Sequence, residues 1–132
     1  MTKMLTASVF ALVVVLIQSM SPALADEFRI EFTWDPDMQR CFSKESPEIN
    51  LFNVPEGTTQ LRVKMVDRDA TSYPHGGGKL DYNGESSIPQ GALKKWKGPC
   101  PPSGSHTYEF IVDARAGKKK AGKAKYAQPF KQ

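Results

Sequence analysis

A proline-rich stretch at residues 98–108, GPCPPSGSHTY, constrains the fold more than any other part of the chain. Its three prolines fix φ at about −65° and remove three backbone donors, so this stretch is neither a helix nor a central strand. Residues 107–112, TYEFIV, follow at once and are rich in β-branched and aromatic side chains, which predicts a strand. The sequence therefore predicts a rigid loop that presents His106 at the start of a strand, with Tyr108 on the same strand face.

Period-two alternation of apolar residues predicts further strands. The side chains of Phe28, Ile30, Phe32 and Trp34 alternate with polar ones, as is typical of a half-buried strand. The same pattern recurs in residues 49–52 and 61–65, and residues 26–117 contain no helical periodicity over ten residues. Short strands between Pro- and Gly-containing turns favour an all-β, antiparallel β-sandwich with little helix.

Two segments in the same order resemble a known family. Residues 98–110, GPCPPSGSHTYEF, closely resemble the GPxPPxGxHxY segment of the phosphatidylethanolamine-binding protein (PEBP) family, including its bacterial Raf-kinase-inhibitor-like members. Residues 54–70 are similar to the family's VPxGT…LxVxDPDAP pattern, and the resemblance extends over residues 46–114. It implies a sandwich with Greek-key connections and long loops, in which a central antiparallel sheet packs on a smaller one.

The resemblance also implies a small anion-binding pocket. In the family this pocket is lined by the aspartate that opens DPD, the histidine of an HWV segment and the GPPxGxH loop. Carried over residue by residue, the expected ligand-binding set is Asp67, His75, Gly98, Pro101, Pro102, His106 and Tyr108. The chain departs from the pattern at 75–78, where HGGG replaces HWVV, and at Arg68, which replaces a proline. Tyr73 is a candidate to replace the lost aromatic wall, and the bare glycine amides are a candidate anion-binding nest.

The N-terminus reads as an export signal. A positive start, an apolar run at residues 5–17 and an A-x-A site at residues 23–25 predict a cleavable signal peptide over 1–25. The remaining residues, 26–132, are then one PEBP-like domain of a periplasmic or secreted protein. In that oxidising context Cys41 and Cys100 are expected to form a disulfide worth about 4 kcal/mol, with two free thiols as the alternative.

The C-terminal segment, residues 115–132, carries seven Lys or Arg residues and no acid. We expect a solvated hairpin turn or a loose tail here, with residues 124–130 as a final edge strand. The alternative is contact with an anionic membrane or a cell-wall surface through these lysines. Export disfavours nucleic acid as a partner, and the sequence indicates no protein partner.

These features predict a non-catalytic binding protein for a small anion or a phospholipid headgroup, without cofactor or metal. If Asp67 reaches an imidazole, it fixes the tautomer of that ring. Two alternatives stay open: a structural or interaction module of the cell envelope with a vestigial pocket, and a weak hydrolase. The sequence lacks the GxSxG nucleophile elbow that esterase catalysis of this kind requires. A metal bound by Asp67, His75 and His106, and Asp67 as a simple turn acceptor, are further alternatives.

Overall fold

The computed structural model describes residues 26–38 and 41–131, so the predicted signal peptide lies outside the described residues. The strands are β1 (Arg29–Phe32), β2 (Ile49–Phe52), β3 (Gln60–Asp67), β4 (Pro74–Asp81), β5 (Ser87–Ile88), β6 (Lys95–Trp96), β7 (Ser105–Ala116) and β8 (Lys119–Lys131). Beside them stands one short 3-10 helix, Pro36–Met38. The described part of the chain contains no helix long and apolar enough to cross a membrane.

The strands form two antiparallel sheets. The small sheet has the order β1-β2-β5 and the large sheet has the order β6-β4-β3-β7-β8. Within the large sheet β3, β4 and β6 are neighbours in chain order, and β7 then returns to lie beside β3, which is a Greek-key arrangement. The all-β sandwich predicted from the sequence is therefore confirmed.

The inward faces of the two sheets share one apolar core. Leu61, Val63 and Met65 on β3 are buried and alternate with exposed residues, as their spacing predicts. Phe110 on β7 joins the sheets because its ring lies 4.8 Å from that of Phe32 on β1. It also stacks on Trp96 of β6 at 5.8 Å. Burial of these large side chains is the main driving force holding the sandwich together.

The disulfide joins the loop before β2 to the proline-rich loop. Cys41 and Cys100 are bonded across 59 residues, as expected. Next to this bond the amide of Phe42 donates to the carbonyl of Pro99 at 3.3 Å. A Cβ on Gly98 would lie 2.6 Å from the backbone nitrogen of Ser43, so only glycine permits the two loops to pack this closely.

The segment Pro74–Asp81 forms β4, which corrects the expectation of an anion-binding nest at its glycines. Gly77 pairs with Lys64 on β3 and with Lys95 on β6, so the HGGG segment lies within the sheet rather than in a free anion-binding nest. Gly76 and Gly77 have φ angles of 74° and 154°. A Cβ on Gly76 would lie 1.9 Å from the carbonyl oxygen of Lys95, and a Cβ on Gly77 would lie 2.0 Å from the carbonyl oxygen of Val63. Close backbone approach explains these glycines.

The C-terminal segment is a strand and not a loose tail. β8 pairs with β7 along its whole length, and the hairpin between them turns at Gly117, whose φ is 59°. The predicted edge strand at residues 124–130 is confirmed and extends further in both directions. Tertiary pairing overrides the weak strand propensity of a Lys- and Gly-rich segment.

Candidate functional site

The site residues meet where β3 ends and β7 begins. Asp67 is the last residue of β3 and lies directly opposite Tyr108 on β7. His106 is two residues before Tyr108, so both side chains point to the inner face of the large sheet. This is the face arrangement that the sequence predicts for the two residues, and their rings lie 6.3 Å apart with nearly parallel planes.

A short hydrogen bond joins Asp67 to His106. His106 Nδ1 lies 2.7 Å from Asp67 Oδ2, and the two side chains are 17% and 5% exposed. Oδ1 of the same carboxylate accepts bonds from the backbone amides of Asp69 at 2.9 Å and Ala70 at 3.1 Å. Burial alone would raise the pKa of Asp67, but the bonds from His106 and the Asp69 amide outweigh it, so this pKa lies below its ordinary value. Asp67 is therefore a turn acceptor as well as the partner of His106.

The Asp67 contact assigns the proton positions on the His106 ring. A carboxylate at low pKa only accepts, so Nδ1 of His106 must carry a hydrogen. The second nitrogen, Nε2, makes no hydrogen bond to any described residue. It is a lone-pair acceptor when the ring is neutral and a donor when the ring is protonated.

Asp69 belongs to the same cluster, although the sequence interpretation did not select it. Its Oδ2 accepts the amide of Thr107 at 2.8 Å, and the amide of Arg68 donates to the Thr107 carbonyl at 2.8 Å. These bonds hold the turn after β3 against the start of β7. The DxD spacing was the available signal, because alternate residues share one face as a strand ends.

One set of side chains has the chemistry of a metal site. Asp67, Asp69 and His106 each offer a ligand atom, and these atoms lie within 4.8 Å of one another. Two carboxylates and an imidazole suit a divalent cation. Both aspartates, however, already accept hydrogen bonds from His106 or the backbone, so the protein itself satisfies the cluster. His75 is not part of this set, in contrast to the metal cluster weighed from the sequence.

Tyr108 separates the two histidines and is fully buried. Its ring lies 5.2 Å from that of His75, edge to face. Its hydroxyl makes no hydrogen bond of normal geometry among the described residues, although the Asp67 carboxylate and the Cys100 backbone lie nearby. Burial, and then the negative charge of Asp67, raise the pKa of Tyr108, so the phenol stays protonated and keeps a hydrogen to donate. A buried hydroxyl without a partner needs an explanation, such as a bound molecule.

His75 is brought near the other site residues but makes no bond to Asp67. Its Nδ1 lies 2.8 Å from the carbonyl oxygen of Lys97, so this nitrogen donates and Nε2 has no hydrogen-bond partner among the described residues. Tyr73 packs on the His75 ring at 4.8 Å, which makes it an aromatic wall for this ring. The ammonium of Lys97 lies 5.8 Å from the Tyr73 ring centre and adds positive charge beside it.

The remaining predicted site residues shape the loop. Pro101 is fully buried and Pro102 is exposed. Gly98 approaches Ser43 across the disulfide-linked loops, so its close backbone contact is with the protein. Arg68, which stands where the resemblance expects a proline, pairs at 2.9 Å with the buried carboxylate of Glu109.

Several grooves on the surface are lined by other residues. One of about 370 Å³ lies beside Trp34, Glu48 and Tyr126, and one of about 640 Å³ lies over the glycines of β4. Neither includes Asp67 or His106, so the cluster is not the floor of either groove.

Comparison with solved structures defines the class of fold. E. coli YbcL, described as a new member of the mammalian PEBP family, is 18% identical, with a TM-score of 0.62 over 81% of this chain and 99% of that one. A putative PEBP homolog from Chlamydia trachomatis, CT736, is 13% identical, with a TM-score of 0.59 over 80% of this chain and 98% of that one. No family model and no curated protein sequence matches the chain. The chain has the PEBP fold, and the resemblance seen in the sequence is confirmed at this level.

Proposed function

We propose that the protein binds a small anion, or the anionic headgroup of a phospholipid, without chemical turnover at the cluster of Asp67, His106 and Tyr108. The observation that carries this proposal is the 2.7 Å bond between Asp67 and His106. It holds one nitrogen of the imidazole and leaves the other without a partner in the described structure. A protonated ring fixed in this way is a preorganised donor for a phosphate or carboxylate oxygen.

The Tyr108 hydroxyl supplies a second donor. It is buried and protonated, and it makes no hydrogen bond of normal geometry among the described residues. Leaving such a group unpaired costs about 1–3 kcal/mol, and an anion oxygen within reach recovers this free energy. His75 adds a third group, since Lys97 engages only its Nδ1.

The hydrogen bonds favour binding over hydrolysis. Nucleophilic catalysis needs a hydroxyl or thiol within hydrogen-bond reach of the base. Between residues 41 and 131 the Nδ1 atoms of both imidazoles are held by acceptors, and no hydroxyl or thiol lies within hydrogen-bond distance of either Nε2. Both cysteines are in the disulfide.

Both similar structures are described as relatives of phosphatidylethanolamine-binding proteins, which makes a phosphate monoester or diester headgroup the first ligand class to test. Export through the predicted signal peptide is part of the proposal, and a disulfide is compatible with an oxidising compartment. No cofactor takes part in it.

The test is a titration of isotope-labelled protein with phosphate, phosphoethanolamine and acetate, followed through the imidazole resonances. We expect a saturable shift at His106 that is larger at pH 6 than at pH 8, because protonation turns Nε2 into a donor. Followed through the backbone amide resonances of residues 67–70 and 105–108, saturation should be abolished in His106→Phe and retained in Lys44→Ser, which removes an exposed cation elsewhere. Equal shifts at both pH values, or equal binding by the two variants, would contradict the proposal.

One observation favours the structural module as a second candidate. The carboxylate of Asp67 is satisfied by His106 and two amides without any ligand. A module of this kind predicts no saturable anion binding but a large loss of stability in Asp67 variants. Turnover of a chromogenic ester that disappears in His106→Ala would favour the hydrolase instead.

A further inference from the structure

The outward face of the large sheet is strongly cationic, a property that the separate strand sequences do not reveal. Residues paired across antiparallel strands point to the same face, so the register identifies its members. From β3, β4 and β6 this outer face carries Arg62, Lys64, Lys79 and Lys95. From β7 and β8 it carries Arg115, Lys120, Lys123 and Lys125. The basic C-terminal segment is thus one half of a surface that extends over all five strands.

Three carboxylates lie on the outer face, and one of them, Asp81 opposite Gln60, forms no ion pair within the described structure. Asp113 pairs with Lys120 at 2.9 Å and lies 3.9 Å from Lys123. Glu109 is engaged by Arg68 at 2.9 Å and lies 3.9 Å from Lys125.

The cations on β3, β4 and β6 have no carboxylate within ion-pair distance among the described residues. Arg62 donates to the side chain of Gln60, which is neutral. Lys64, Lys79 and Lys95 are exposed and do not form ion pairs within the described structure. Their charge is therefore available to a partner.

A concavity lies between these cations. Gly76, Gly77 and Gly78 have no side chains, and a groove of about 640 Å³ follows them along β4. Val63, Leu80 and Ala92 contribute its apolar lining, while Arg62, Lys79, Lys94 and Lys95 line it with positive charge. A groove with apolar and cationic lining suits an amphipathic partner that carries negatively charged groups above an apolar region.

The charge lies on one side of the molecule. The small sheet packs against the inner face of the large one, so its own outward face points the opposite way. That outward face includes Arg29 and Glu31, which pair at 3.3 Å, and the side chains of Asn50 and Ser87. It carries no excess of positive charge among these residues.

We propose that the outer face of the large sheet docks on a lipid bilayer that contains anionic lipids. Five strands at about 4.8 Å spacing give a face roughly 19 Å wide, which suits a broad planar partner. With Lys131, which pairs with Ser105 on β7, seven of its nine cations are lysines, which act as point charges on a diffuse negative surface. The register places no aromatic side chain on this face that bases can stack on, which disfavours single-stranded nucleic acid.

Vesicle co-sedimentation tests the docking directly. Vesicles of phosphatidylcholine with 30% phosphatidylglycerol are compared with pure phosphatidylcholine, at low and at high salt. We expect binding only to the anionic vesicles and loss of binding at high salt. Lys64→Ser should lower the partition coefficient about fivefold and the pair Lys64→Ser and Lys79→Ser about 25-fold, because each basic residue near the surface contributes about that factor.

The matched control is Lys44→Ser, which removes an exposed lysine from the loop before β2 and should change partitioning less than twofold. Circular dichroism melts confirm that the exposed substitutions leave the fold intact. Equal losses in Lys44→Ser and Lys64→Ser, or equal binding to neutral vesicles, would overturn the proposal. Tighter binding to duplex DNA or heparin than to anionic vesicles, at the same total negative charge, would also overturn it in favour of a polymer. Lys64→Ser and Lys79→Ser lie outside the cluster of Asp67, His106 and Tyr108 and should leave the phosphate-induced shift at His106 unchanged, so failure of the anion site and failure of this face are distinguishable.

Discussion

The bond between Asp67 and His106 is the interaction on which the candidate site depends, and a double-mutant cycle measures its strength. Asp67→Asn keeps an oxygen for the two backbone amides but removes the negative charge. His106→Phe keeps a flat ring against Tyr108 but removes both nitrogens. The side chains are 5% and 17% exposed and 2.7 Å apart, so this hydrogen bond to a charged group lies mostly out of water. Such bonds contribute roughly 1.5–3 kcal/mol to stability.

We expect a coupling free energy of about 1–2 kcal/mol at pH 7, because the Asn variant retains a weaker neutral contact. Urea unfolding of the four proteins, with the disulfide intact, provides the measurement. The pKa of Asp67 is lower in the folded protein than its ordinary value of 3.8. Its stabilising effect is therefore fully present above that ordinary value and is lost as the pH falls through the folded-state pKa. Additivity of the two substitutions within about 0.5 kcal/mol at pH 7 would refute the coupling.

Three further predictions concern other parts of the protein. Tyr108→Phe should leave the free energy of unfolding unchanged or raise it by up to about 1 kcal/mol, since the buried hydroxyl makes no hydrogen bond of normal geometry in the described structure. In the same variant, the phosphate affinity measured by titration should fall severalfold. A loss of stability together with an unchanged phosphate affinity would contradict the prediction. Replacing Cys41 and Cys100 by alanine should lower the urea-derived free energy of unfolding by about 4 kcal/mol, because the closed loop is long; a loss below about 1 kcal/mol argues against it. Gly77→Ala should cost more than about 3 kcal/mol in a thermal melt because its Cβ would lie 2.0 Å from a carbonyl oxygen. Gly57→Ala, with φ +80° but open space, should cost only about 1–2 kcal/mol, and equal losses would show that steric contact is not the cause.

The strands with clean apolar alternation were predictable from the sequence. Residues 49–52 form β2 with the predicted bounds, and the alternating pattern at 61–65 lies within β3. These segments have one buried and one exposed face, so apolar and polar residues alternate along their sequence with a period of two. The strand that begins near His106 was also found, because its β-branched and aromatic residues are close together.

β4 was not predicted, and β8 was predicted only over residues 124–130, because the rest of these sequences lacks that period. β4 contains three consecutive glycines, which permit close approach of the neighbouring strands' backbones. Because glycine has no side chain, these positions show no apolar alternation. β8 is rich in lysine because its outward face meets solvent, and its composition resembles that of a tail. Long-range pairing with β7 decides its structure, which no local pattern encodes.

The candidate site was predicted in part. The family resemblance supplied Asp67, His106 and Tyr108, which the fold brings together. His75 lies beside Tyr108 but bonds to Lys97, and Gly98 packs against Ser43; the resemblance did not indicate either contact. Asp69 was missed as a member because its role is to accept the Thr107 amide, and that bond exists only after β3 and β7 pair.

The nitrogen resonances of the His106 ring give the most direct test of the proposed anion site. Long-range ¹⁵N correlation spectra, recorded without and with saturating phosphate at pH 6, separate Nδ1 from Nε2. We predict that phosphate shifts Nε2 strongly while Nδ1 keeps the signature of its bond to Asp67. Unchanged Nε2 resonances at saturating phosphate, or loss of the Nδ1 bond on adding it, would contradict an anion site built on this pair.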